Sequence, residues 1–201
     1  MINYNENRIR KLTQYEGRIH VIMGPMFSGK TTELLRNIER LKFAKYNICL
    51  VTYSNDTRYS STPSIATHTK QFHEALYCEK MEDIIDKLSE YDAIGIDEAH
   101  FIPDVVKYSE ILANKGKIVI VSGLDGSFQR KEFGNFLDII PLAEKVEKLS
   151  AVCIKCCMDA SFTTRTVMST EIELIGGSDK YIATCRRCYH ASLQNDRSQS
   201  S

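Results

Sequence analysis

The chain has 201 residues, 43% hydrophobic and 26% charged, ordinary proportions for a globular protein with one medium core and a small appendage. Lys plus Arg (26) cancels Asp plus Glu (26), so no overall field draws the surface to a polyanion, and extended nucleic-acid binding loses support. Residues 1–15 lack the apolar stretch of a secretory signal, and no apolar run approaches the ~20 residues of a membrane helix. The reading is a cytoplasmic protein with neither nucleic acid nor membrane as partner.

Residues 1–16 read as a mobile lead-in. The apolar run Ile19–Met23 predicts a buried first strand. It leads into Gly24-Pro25-Met26-Phe27-Ser28-Gly29-Lys30-Thr31, the pattern G-x-x-x-x-G-K-[ST]. Such a loop wraps a polyphosphate with backbone N–H groups, while Lys30 supplies charge and Thr31 offers a hydroxyl to Mg²⁺. A helix over Thr32–Ala44, with Leu34, Leu35, Ile38 and Leu41 on one side, aims its positive dipole end at the same anion.

Ile48–Tyr53 predicts the second strand. Asp56, Arg58 and Tyr59 follow it, and an arginine there either neutralises a transferring phosphate or sits in solvent. Residues 54–70, rich in Ser, Thr, Asn and Asp, read as a loop. Met81–Leu88 reads as a short helix, Ala93–Ile96 as the third strand, Pro103–Asn114 as a helix and Lys117–Val121 as the fourth strand. Strands alternating with helices predict an α/β parallel sheet flanked by helices.

Asp97 ends the third strand, the place where proteins with this phosphate loop hold Mg²⁺ through a carboxylate. Glu98 follows, and a carboxylate there takes a proton from an attacking hydroxyl or water. Residues 97–100 also spell Asp-Glu-Ala-His, a helicase signature, but a helicase needs two motor domains and the chain is too short for both. Leu124, Phe128 and Phe133 follow the fourth strand, where α/β sheets bind ligands. They either wall a slot for a planar ring or staple a long loop.

From about residue 150 the texture changes. Cys153-x-x-Cys156 and Cys185-x-x-Cys188 offer four thiolates, a set with no open position that suits structural Zn²⁺. The three other cysteines are Cys49, a small core residue in an apolar strand, and Cys78 and Cys157, without evident role. Residues 191–201 read as a disordered tail.

Together these segments resemble the cytosolic-type (type II) thymidine kinases from about Gly17 to Tyr189. The resemblance rests on the phosphate loop, Asp56–Tyr59, Gly95–Glu98 with Phe101, Leu124–Arg130, both cysteine pairs and Ile175–Tyr181. It implies a P-loop NTPase-like (RecA-like) domain at 17–150 and a zinc-binding lasso domain at 151–190. It further implies ATP- and Mg²⁺-dependent phosphorylation of the 5′-hydroxyl of thymidine or deoxyuridine, for pyrimidine salvage. By motif, Glu98 is the base, Lys30 and Arg58 stabilise the phosphoryl charge, and Asp97 organises Mg²⁺ with Thr31. Gly24 through Thr31 with Asp56, Arg58 and Asp97 would hold ATP and Mg²⁺. Met23, Leu124, Phe128 and Phe133 would line the base pocket, closed by Tyr181 and the backbone of Ile172, Glu173, Leu174, Ile175 and Gly176. A homotetramer inhibited by thymidine triphosphate is implied as well.

The chain departs from the family pattern at His100, where glutamine is usual, at Ser122-Gly123, and at Thr69. The rival from another class is a zinc-ribbon nucleic-acid-binding ATPase; charge balance speaks against it.

Overall fold

A computed structural model describes residues 17–53, 64–66, 72–167 and 177–198. In chain order the strands and α-helices are β1 (Arg18–Gly24), α1 (Lys30–Phe43), β2 (Ile48–Tyr53), β3 (Ser64–Ala66), β4 (Phe72–Glu74) and β5 (Leu76–Cys78). Then follow α2 (Ile85–Leu88), β6 (Ala93–Ile96), α3 (Val105–Asn114), β7 (Ile118–Leu124) and β8 (Lys145–Lys148). The C-terminal part holds β9 (Ala151–Val152), β10 (Asp159–Ala160), β11 (Phe162–Arg165), β12 (Tyr181–Thr184) and α4 (Arg186–Ser198).

Six of the described strands form one sheet in the order β5-β2-β6-β7-β1-β8, every pairing parallel. This is the expected α/β architecture. Parallel strands are buried on both faces because the crossovers cover both. Ile19, Val21, Val51, Ile96 and Val121 face α2, α3 and a 3₁₀ segment at Phe136–Leu142, through Leu88, Val105, Leu112, Phe136 and Ile139. Ile22, Leu50, Ala93, Ile118 and Ile120 face α1 through Leu34, Leu35 and Ile38. Each of these Ile or Leu side chains contributes roughly 1.5–3 kcal/mol of burial.

Gly95 sets how closely α1 approaches the sheet. A Cβ there would stand 2.8 Å from Leu50 Cδ2 and 2.9 Å from Ile38 Cδ1. The loop that opens α1 is thereby fixed against the strand that carries Asp97. β1 and β6 run parallel and both finish at the carboxyl end of the sheet, so the phosphate loop and the two carboxylates meet there.

Several boundaries differ from expectation. The segment read as a loop contains β3, paired antiparallel with β4. β5 and β8 are edge strands that the sequence reading does not name; β5 has only three residues, and three of the four residues of β8 are charged. β7 continues past Val121 through Ser122-Gly123 to Leu124. The stretch read as a disordered tail from residue 191 is helical through Ser198. No helix among the described residues is long and apolar enough to cross a membrane.

Candidate active site

The loop from Gly24 to Thr31 turns directly from β1 into α1. Gly29 caps α1 at φ +81°, and a Cβ there would meet nothing within 4 Å, so conformation alone demands glycine. At Gly24 crowding decides: a Cβ would lie 2.5 Å from the Leu149 carbonyl oxygen and 2.9 Å from Ser28 Oγ. Ser28 Oγ and Lys30 Nζ both donate to the Pro25 carbonyl, at 2.9 and 2.7 Å. A phosphate oxygen is a stronger partner for an ammonium than that neutral carbonyl, so the lysine exchanges readily toward an anion.

Asp97 is 6% exposed and held on both oxygens. Thr31 Oγ1 donates to Oδ2 at 2.9 Å, and Ser122 Oγ donates to Oδ1. Burial first, then the neighbouring Glu98 charge, push this carboxyl up to about 6 despite those hydrogen bonds. A buried carboxylate flanked by a hydroxyl and a second carboxylate is the hard oxygen set that Mg²⁺ takes, so these residues fit the ion. The raised value also carries a stability cost. Below pH 3.8 both folded and unfolded chains hold the proton; the cost grows as pH rises and is complete above about 6. Asp97→Asn should therefore stabilise the metal-free protein at pH 7 by on the order of 1–3 kcal/mol and have little effect near pH 3. Urea melts of both proteins across that pH range check it, with activity falling in the variant as stability rises.

Glu98 sits in the left-handed region, φ 51° and ψ 35°, a conformation that costs a non-glycine residue about 1–3 kcal/mol and clusters at active sites. Its side chain is 21% exposed, in contrast to Asp97 beside it. The two adjacent carboxylates are thus separated by environment, one buried against two hydroxyls and one partly exposed to solvent.

An aromatic wall stands beside Glu98. Tyr53 stacks on Phe101 (5.2 Å between centroids), and Phe133 meets both Phe101 and His100 edge-on at 5.3 and 4.9 Å. His100 Nδ1 accepts the Leu124 N–H at 3.2 Å. Phe128 lies under the Arg165 guanidinium at 3.8 Å, and Arg165 donates to the Tyr181 hydroxyl at 2.8 Å. Tyr189 donates to the Phe128 carbonyl at 2.8 Å. So Phe128 and Tyr181 gather around one arginine, Phe133 and Leu124 around His100, while Met23 packs on the core that faces α2 and α3. Asp56, Arg58, Ile172, Glu173, Leu174, Ile175 and Gly176, and the departure at Thr69, lie outside the described residues.

The four sulfurs of Cys153, Cys156, Cys185 and Cys188 lie within 4.8 Å of one another. Cys156 and Cys185 Sγ are 3.6 Å apart. Tetrahedral bonds of ~2.3 Å to Zn²⁺ require sulfurs about 3.8 Å apart, so the set fits the ion. Burial opposes ionisation of Cys153, yet the backbone amides of Cys185, Lys155 and Cys156 outweigh it and pull the thiol down to about 6. Burial and the neighbouring sulfurs push Cys188 up to about 12. Four thiols crowded this closely ionise together only with a cation among them.

The cysteine unit touches the phosphate loop. The Phe27 ring, on a backbone with φ 66°, packs with Ala151, Cys153, Ala160 and Ala183. The Met26 N–H donates to Thr163 Oγ1 at 3.0 Å. Thr163 and Arg165 are not singled out by the sequence, and Ser122 is noted there only as a departure from the family pattern; its place in a strand parallel to the Asp97 strand is the one signal for its bond to that carboxylate.

The family model for thymidine kinase matches residues 17–189. The chain belongs to the thymidine kinase family. It is 51% identical over 188 residues to Thymidine kinase 1 of Dictyostelium discoideum, covering 92% of this chain and 82% of that protein. It is 51% identical over 176 residues to the thymidine kinase of Vaccinia virus (strain Ankara), covering 88% and 98%. The thymidine kinase of Sheeppox virus (strain KS-1) is 50% identical over 173 residues, covering 86% and 97%. The chain is accordingly a kinase that phosphorylates thymidine, and the nucleic-acid-binding alternative is not favoured.

Proposed function

We propose that the chain transfers the γ-phosphoryl group of ATP to the 5′-hydroxyl of thymidine, and of deoxyuridine, with Glu98 as general base. The observation that carries this is the division between Asp97, buried and tied to Thr31 of the phosphate loop, and Glu98, one residue on, whose side chain is 21% exposed. Glu98 accepts the 5′-hydroxyl proton as the oxygen attacks. Lys30, with Arg58, meets the charge on the transferring group, and the loop from Gly24 to Thr31 holds the outer phosphates together with Asp56. Asp97 and Thr31 would hold Mg²⁺, which when bound would neutralise charge on the phosphates. Phosphoryl transfer asks little beyond positioning and electrostatics, so a rigid cradle accounts for most of the rate.

The nucleoside base would lie among Leu124, Phe128, Phe133, Met23 and Tyr181. Backbone groups of residues 172–176 would read the pyrimidine edge, in a lasso domain (151–190) shaped by structural Zn²⁺ and docked on the ATP-binding domain (17–150). We assign the enzyme to the cytoplasm as a homotetramer restrained by thymidine triphosphate. ATP consumption measured with and without thymidine tests the reading. Turnover should depend on thymidine and match thymidine monophosphate formed; equal ATP hydrolysis without nucleoside would contradict it.

A further inference from the structure

We propose that His100 is a positioning residue for Glu98, locking the carboxylate's orientation and coupling it to the backbone of Leu124; this rests on the reading of Glu98 as the base. The His100 side chain has no exposed surface. It is held against Phe101 (4.1 Å between centroids) and against the edge of Phe133 (4.9 Å). Burying an imidazole costs free energy that a phenyl ring in the same slot would not incur, unless its nitrogens make compensating contacts.

Both nitrogens face groups that matter. Nδ1 accepts from the Leu124 N–H at 3.2 Å. An accepting nitrogen carries no proton, so in the neutral ring the proton resides on Nε2. Nε2 lies 3.7 Å from Glu98 Oε2. That separation exceeds a good hydrogen bond, and catalytic hydrogen bonds commonly shorten once substrate is seated. With Nε2–H directed to one oxygen of the carboxylate, the other oxygen is left for the substrate hydroxyl.

The consequence is a link from Leu124 to Glu98 made of one hydrogen bond and one longer contact, without proton transfer. Leu124 ends β7 and belongs to the proposed nucleoside slot, so a ligand that shifts its backbone alters the imidazole and through it the rotamer of Glu98. Glu98 leaves the sheet in a left-handed conformation, and a fixed N–H beside it reduces the orientations open to the side chain.

The test compares His100→Phe and His100→Gln with the unsubstituted enzyme. Phenylalanine keeps the ring packing and removes both nitrogens; glutamine keeps a carbonyl acceptor for Leu124 and an N–H donor for Glu98. H100F should lose about 10-fold in kcat with KM for thymidine and ATP unchanged, and H100Q should restore most of it. Nitrogen NMR of the unsubstituted enzyme at neutral pH should show His100 as the Nε2–H tautomer. Parental kcat in H100F, a loss that glutamine fails to restore at equal melting temperature, or an Nδ1–H tautomer would overturn the proposal. Should H100F lose its cooperative melting transition, the tautomer measurement decides alone. Glu98→Gln keeps the two failures apart: an active E98Q removes the base reading itself, whereas an inactive E98Q beside a fully active H100F removes only the role of His100.

Discussion

Replacing Glu98 by glutamine is expected to lower kcat by roughly 10²–10⁴-fold, the range general-base catalysis supplies, with little change in the binding of ATP or thymidine. The substitution is nearly isosteric and removes only the capacity to take a proton. Its side chain is partly exposed, and the strained backbone at φ 51° is inherited unchanged. Equilibrium binding of each substrate, set beside steady-state kinetics, separates the two effects. Loss of binding with kcat preserved would make Glu98 a substrate ligand.

Cys185→Ser is expected to act on both substrates. A structural zinc site contributes on the order of 10 kcal/mol to the segment it organises, as much as the whole stability of many domains. Losing one thiolate should therefore release metal and unfold the knuckle. The damage should not stop at the nucleoside side, because Phe27 packs among Ala151, Cys153, Ala160 and Ala183 and the Met26 N–H is held by Thr163. We expect zinc content to fall and KM to rise for thymidine and for ATP together. Metal analysis with kinetics against each substrate checks this. Full activity in zinc-free protein would show that the cysteine unit does not shape the site.

The core of the fold was legible because its strands are buried on both faces. Ile48–Tyr53 and Ala93–Ile96 match expectation residue for residue, since short, mainly apolar runs suit strands buried on both faces of a parallel sheet. Edge strands were hidden for the complementary reason. In β8 only Val146 is apolar, and Lys145, Glu147 and Lys148 face water or partner His20 and Asp125 across the edge. The end of β7 was missed because Ser122 and Gly123 break its pattern for reasons that lie elsewhere. Ser122 serves Asp97, and Gly123 leaves room for the Phe136 ring, 2.9 Å from where a Cβ would stand. The phosphate loop, the acidic pair and the four cysteines were readable as motifs because local spacing carries their chemistry. The contacts that join them, Thr163 to Met26 and Arg165 to Phe128 and Tyr181, link residues far apart in sequence and leave no local signature.

The most direct measurement is the formation of 5′-monophosphate from each of the common deoxynucleosides, with ATP and Mg²⁺, by the enzyme and by E98Q. The proposed reading, Glu98 as base beside the phosphate loop with the thymidine base among Leu124, Phe128 and Phe133, predicts product from thymidine and deoxyuridine, none from the purine nucleosides, and almost none from E98Q. Product formed from purines as readily as from thymidine, or a fully active E98Q, would contradict it.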